Sequence, residues 1–273
     1  GAAYVVAFYD SLTSPTRIHV YVAGASEGRV ARFTGSLATG DLVFDGYVTV
    51  SGVRSLAISP NGARIFAARS GGVTELSRNS TSGSLTFVAS ISGAGGVTSF
   101  DEAAVSPDGL FVYVASRSQD SLVVLDAASL AFRQVLTGSA LGPDGASDVA
   151  VTADGRFVYV SAADGNTVAV LARDAATGQL ASVQVARNGS AGVRGLLEPS
   201  DVSLTPDGRW LLVSGRGGDS VAVFERSSSD GRIRFGQLVR NNIRGVTGLV
   251  SPAALAVDPN GQGRGLGKNL MAA

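Results

Sequence analysis

Val151-Thr152-Ala153-Asp154-Gly155-Arg156-Phe157-Val158-Tyr159-Val160 is one of five copies of a single phrase, and its recurrence decides the fold. An apolar strand ends in Ser/Thr/Asp-Pro/Ala-Asp/Asn-Gly, and a second apolar strand follows. The other copies are Ile58-Ser59-Pro60-Asn61-Gly62, Val105-Ser106-Pro107-Asp108-Gly109, Leu204-Thr205-Pro206-Asp207-Gly208 and Val257-Asp258-Pro259-Asn260-Gly261. From one Ser/Thr/Asp anchor to the next the spacings are 106−59=47, 152−106=46, 205−152=53 and 258−205=53. Asp-Gly and Asn-Gly tolerate the positive φ that a tight, right-twisted hairpin demands. Val, Tyr, Phe and Ile around them favour strands.

Each copy continues in the same way. After Phe157–Ser161 comes a polar turn, Ala163-Asp164-Gly165-Asn166, then a third strand, Thr167-Val168-Ala169-Val170-Leu171. A Thr-Gly or Asp-Gly turn (Thr177-Gly178, Asp230-Gly231) leads to a weaker fourth strand, Leu180–Val185 or Ile233–Val239. Four short strands per roughly 50 residues, with no helical period, predict an all-β propeller of four-stranded antiparallel blades. The expected blades lie near 4–50, 51–95, 98–145, 146–195 and 198–248 of one domain spanning 1–273. In the divergent first unit, Tyr4–Tyr9, Arg17–Ala23, Val30–Thr34 and Leu42–Val48 are the expected strands, with Ser14-Pro15-Thr16 as the turn. A partial blade follows at 251–273, where only Ala254–Val257 and Asn269–Ala273 offer strands. About five full blades plus this fragment imply six or more in a closed ring. The unpaired edges it would leave suggest strand pairing with another chain or segment.

Composition narrows the partners. Charge is sparse, at 16%, and balanced, with 22 basic and 22 acidic residues. Nothing electrostatic favours nucleic acid, and no apolar run is long enough for membrane insertion. Cysteine is absent, which removes thiol nucleophiles and thiolate metal sites. Lys268 is the one lysine among the 22 basic residues, a bias that points to an arginine-preferring bacterial source. Gly1–Asp10 lacks a basic segment followed by a long apolar stretch, so no signal peptide is expected.

The phrase Val151–Val160, followed by Asn166-Thr167-Val168-Ala169-Val170 and Asp174-Ala175-Ala176-Thr177-Gly178-Gln179-Leu180, resembles the YVTN, or lactonase-like, β-propeller repeat (the 6-phosphogluconolactonase type) over most of residues 50 to 261. The resemblance implies the propeller fold. On function it implies less, because the family includes a sugar-lactone hydrolase, muconate-cyclising enzymes and bacterial surface repeats. Function must therefore be argued from the site.

His19 is the one histidine, but it falls in the column that holds Phe111, Phe157 and Trp210 in other units, so it reads as a packing residue rather than a general base. No Gly-x-Ser-x-Gly elbow accompanies it. Four residues before the anchors stand Ser55, Glu102, Asp148, Asp201 and Ala254. In a propeller this first strand lines the channel. Glu102, Asp148 and Asp201 could therefore ring its mouth, hold a hard cation, or accept hydrogen bonds from the next blade. Arg117 and Arg216 share a column in the loop after the second strand. If the protein is an enzyme, Glu102, Asp148, Asp201, Arg117 and Arg216 are the expected site residues. They would act on a sugar lactone or related small acid, as a lactonase-like hydrolase or isomerase. This thin catalytic equipment instead predicts a non-catalytic, secreted or cell-surface binding and assembly scaffold. It would need no cofactor, and its channel face could take a small molecule or glycan.

Overall fold

A computed structural model describes residues 3–9, 17–36, 38–140 and 144–257, with the side chains of 3–9, 17 and 139 not described. Twenty strands form five four-stranded antiparallel sheets, each a simple meander in chain order. No helix among the described residues is long and apolar enough to cross a membrane.

The chain divides into two compact units. The first holds residues 1–136 with 176–179. Its sheets are β1 (Ala3–Tyr9), β2 (Arg17–Gly24), β3 (Arg29–Ser36) and β4 (Leu42–Thr49); then β5 (Val53–Ile58), β6 (Arg64–Arg69), β7 (Gly72–Arg78) and β8 (Leu85–Ile91); then β9 (Glu102–Val105), β10 (Phe111–Ser116), β11 (Ser121–Asp126) and β12 (Phe132–Thr137). The second unit holds 137–175 with 180–273. Its sheets are β13 (Ala146–Val151), β14 (Phe157–Ala162), β15 (Thr167–Arg173) and β16 (Leu180–Arg187); then β17 (Pro199–Leu204), β18 (Trp210–Gly215), β19 (Ser220–Arg226) and β20 (Ile233–Arg240).

The recurrent turn phrase works through its anchor hydroxyl. Thr152 Oγ1 donates to Asp154 Oδ1 at 2.5 Å and accepts from Phe157 N at 3.1 Å, so one side chain closes the loop and starts the next strand. Ser59, Ser106 and Thr205 repeat both bonds with their own Asn61, Asp108 and Asp207 and with the amides of Arg64, Phe111 and Trp210. The glycine that follows sits at φ +66°, +72°, +69° and +65° for Gly62, Gly109, Gly155 and Gly208, where a side chain would be strained.

The cores lie between sheets, as in propeller blades, because both faces of the inner strands are apolar. In the first unit Phe66, Val73 and Phe100 pack with Val112, Val114 and Val123, while Tyr21, Val30 and Val53 pack with Ile65 and Leu76. In the second, Phe157, Tyr159 and Val170 meet Val202, Val213 and Phe224. Beyond β20, Leu255 and Val257 rest against Leu212 and Val223. No strand is formed at Ala254–Val257, and its expected partner, Asn269–Ala273, lies outside the described residues, as does Ser14-Pro15-Thr16.

A repeated contact joins successive sheets. His19 sits against Gly83, Phe111 against Gly178 and Phe157 against Gly231, so closely that a Cβ on any of these glycines would lie 2.3 Å from the ring. Two residues on, a buried tyrosine donates to the same glycine's carbonyl: Tyr21 to Gly83 at 2.7 Å, Tyr113 to Gly178 at 3.3 Å and Tyr159 to Gly231 at 2.7 Å. An arginine ending the next third strand donates back, Arg78 Nε to Tyr21 Oη at 2.9 Å and Arg226 Nε to Tyr159 Oη at 3.1 Å.

Candidate functional site

The polar column at the start of the first strands follows from strand pairing. Asp148 pairs with Ser161 after a register shift at Ala146/Asp148, and Asp201 pairs with Ser214 after the matching shift at Pro199/Asp201. Such a bulge lets two consecutive side chains face polar partners before alternation resumes.

In the second unit the structure brings two predicted carboxylates together. Asp148 Oδ1 accepts from Val149 N and its Oδ2 from Val202 N, both at 2.7 Å. Asp201 Oδ2 accepts from Leu255 N at 2.8 Å, the same stitch one repeat later, since 202−148=54 and 255−201=54. The two carboxyls lie close enough to influence each other's titration. Burial pushes the Asp201 carboxyl above its ordinary range, although the Leu255 amide and Asp148 oppose this. A buried carboxyl raised above its ordinary range beside a second carboxyl is an arrangement that acid–base chemistry can use. Ser147 and Ser200, one position earlier, donate to Pro199 O at 2.8 Å and Pro252 O at 2.9 Å.

Arg216 is not joined to this pair. It opens a one-turn 3-10 segment, Arg216–Gly218, and its guanidinium meets Glu198 at 3.2 Å, with both side chains exposed.

In the first unit Glu102 is buried and its Oε1 accepts from Ala103 N at 3.1 Å. Arg117 contributes its backbone amide, which donates to Asp101 Oδ2 at 2.8 Å. The other oxygen of Asp101 is paired with Arg54. Sequence reasoning passed over this ion pair. Its signal was available one position before the carboxylate column, where Arg54, Asp101, Ser147, Ser200 and Ala253 line up. Among the described residues no three His, Cys, Asp or Glu side chains converge as a cation site.

His19 is buried in the aromatic position. Arg78 donates to its Nδ1 at 2.8 Å, which leaves the imidazole proton on Nε2. A ring held this way serves the seam between sheets.

The chain matches the sequence model of the family described as lactonase, seven-bladed β-propeller, over residues 92–184 and 165–262. No curated protein sequence matches it. Among solved structures it is similar to a candidate 6-phosphogluconolactonase of Bacteroides uniformis (TM-score 0.76, 18% identity, covering 94% of this chain and 75% of that one). It is also similar to a candidate 6-phosphogluconolactonase of Bacteroides fragilis (TM-score 0.56, 15% identity, 92% and 85%). At these identities the likeness shows the fold. The periplasmic gluconolactonase PpgL of Pseudomonas aeruginosa is similar at 26% identity (TM-score 0.66, 81% and 67%).

These matches overturn the expectation of a non-catalytic scaffold and favour its alternative, a lactonase-like enzyme. The expectation read Glu102, Asp148 and Asp201 as hydrogen-bond acceptors for the next blade and gave too little weight to carboxyls as acid–base groups, which need neither a histidine nor a serine elbow. By its sequence match over residues 92–262, the chain belongs to the lactonase seven-bladed β-propeller family.

Proposed function

We propose that this protein is a lactone hydrolase acting on a sugar lactone or a closely related small acid. The observation that carries the proposal is the Asp148–Asp201 pair. One carboxyl is held above its ordinary range by burial and linked to a second that accepts two backbone amides. Asp148, whose two oxygens accept backbone amides, takes a proton from water as the water oxygen bonds to the lactone carbonyl carbon. Asp201, whose carboxyl burial raises, gives a proton to the ring oxygen as the acyl carbon–oxygen bond breaks. The product is the open-chain hydroxy acid, and no other reactant is consumed. The gluconolactonase likeness supports the substrate class, and its periplasmic setting supports an extracytoplasmic location for this chain.

The test is pH-stat hydrolysis of glucono-δ-lactone and other aldonolactones. Asp148→Asn and Asp201→Asn are each expected to lower kcat by about a hundredfold or more, the scale of one general acid or base, with far-UV circular dichroism unchanged. Absence of hydrolysis across the panel, or full activity in both variants, would refute the proposal. Fractionation of the source cells checks the location.

A further inference from the structure

At one seam in the first unit the repeated contact between sheets is dismantled. The tyrosine column holds Phe66, which has no hydroxyl, and the arginine column holds Ala127. The alignment is fixed by the backbone: Ala127 N donates to Leu110 O, as Arg78 N does to Ala63 O and Arg226 N to Arg209 O, all at 2.8 Å. The turn after the third strand is also entered early. Asn79 and Ser227 open it one residue after the column, whereas Asp126 opens it one residue before. The hairpin therefore stops two residues short, roughly 7 Å of strand. Arg64, standing in the aromatic column, reaches across to Ala127 O at 2.5 Å and Gly109 O at 3.3 Å. In other sheets the glycine carbonyl is served by the sheet's own arginine, as Gly62 is by Arg78 and Gly208 by Arg226.

The shortened hairpin leaves a pocket of about 510 Å³. Its lining includes Arg64, Asp126, Phe132, Arg133, Thr177 and Gln179. It opens at the Phe111 end of β10, while Glu102 pairs with Ala115 four residues along, roughly 13 Å away.

We propose that this pocket binds a neutral hexopyranose unit. Phe132 is 46% exposed, and its ring lies so close to Gly95 that a Cβ there would sit 2.4 Å from it. The glycine leaves the ring room that a side chain would take, and an exposed aromatic ring can stack against the C–H face of a sugar. Around it stand planar donors and acceptors: the Arg133 guanidinium, the Asp126 carboxylate and the Gln179 amide. Such groups match vicinal hydroxyls, which each donate and accept. Charge does not select an anion here. Arg133 is paired with Asp126 at 2.7 Å, and Arg64 lies 3.5 Å from Glu75. The volume exceeds a single pyranose ring, which fits one unit of a longer glycan.

The experiment is saturation-transfer NMR on the full chain. The probes are methyl β-D-glucopyranoside, methyl β-D-galactopyranoside and methyl α-D-mannopyranoside, with sodium glucuronate as the anionic comparison. At least one neutral glycoside is expected to receive saturation, and Phe132→Ala is expected to weaken it about tenfold, the worth of one lost stacking contact. Because Phe132 is half exposed, the variant is expected to keep its circular dichroism and its lactone hydrolysis. Saturation of glucuronate alone, of no neutral glycoside, or of a neutral glycoside unaffected by Phe132→Ala would each overturn the assignment.

Discussion

Replacing Tyr159 with Phe removes one oxygen atom from a seam built on the same pattern as the one at Tyr21, Gly83 and Arg78. The Tyr159 hydroxyl donates to Gly231 O at 2.7 Å and accepts from Arg226 Nε at 3.1 Å, and the side chain is fully buried. The variant leaves a buried carbonyl and a buried guanidinium N–H each short of a partner. A neutral hydrogen bond is worth about 1 kcal/mol and one to a charged group about 1.5–3 kcal/mol, so the loss is about 2–4 kcal/mol. For a chain of this size that lowers Tm by about 5–15 °C, read by calorimetry and urea unfolding. Arg226→Ala and the double variant complete a cycle, with a coupling energy of about 1–2 kcal/mol expected. The converse change, Phe66→Tyr, adds the same hydroxyl where Ala127 replaces the arginine, and is expected to destabilise. There is also a signature in pH. Burial pushes the Tyr159 hydroxyl up to about 12, against the pull of Arg226. Its contribution is whole below the unfolded value near 10 and is lost as pH rises through 12, so wild type should lose stability over that window and Tyr159→Phe should lose less. A Tm fall below about 2 °C, or strict additivity in the cycle, would refute the idea that the seam is held as one network.

Asp201→Asn should raise Tm at neutral pH while lowering kcat about a hundredfold or more. The Asp201 carboxyl is raised by burial, so its ionisation opposes folding above the unfolded value and the gain should vanish near pH 3, where both states are protonated. Thermal scans at several pH values check this. Gly231→Ala forces a side chain into φ +72° and to within 2.3 Å of the Phe157 ring; a loss of about 2–4 kcal/mol in urea unfolding is expected. Arg54→Ala breaks a partly exposed ion pair and should cost under about 1 kcal/mol in the same assay.

What could be read from the sequence was whatever repeats locally. The anchor hydroxyl, the Asp or Asn two residues on and the glycine after it form a closed loop of bonds within six residues, so the turns and the strands they start were legible. His19 was legible as a packing residue because its column holds Phe111, Phe157 and Trp210 in three other units. The Asp148–Asp201 link was not, since it joins residues 53 positions apart and depends on how sheets face each other. Arg54 and Asp101 stand one residue before the carboxylate column, and their pairing joins residues 47 positions apart. The pocket beside Phe132 was hidden because it arises from two residues that the hairpin lacks.

Successive sheets are coupled by a directional key: a tyrosine offered forward and an arginine–glycine receptor for the tyrosine behind. The sheet formed by β13–β16 carries both halves, with Tyr159 facing on and Arg173 bonded to its own Gly155 at 3.0 Å. A module keyed at both ends can be copied or excised without recutting its neighbours, which gives this architecture a route to new lengths. The β5–β8 sheet, with Phe66 forward, cannot be exchanged so freely, because the third sheet meets it with the reach of Arg64 to Ala127 O and Gly109 O in place of the tyrosine key. Insertions and deletions over evolution should therefore spare that junction and accumulate elsewhere around the repeat.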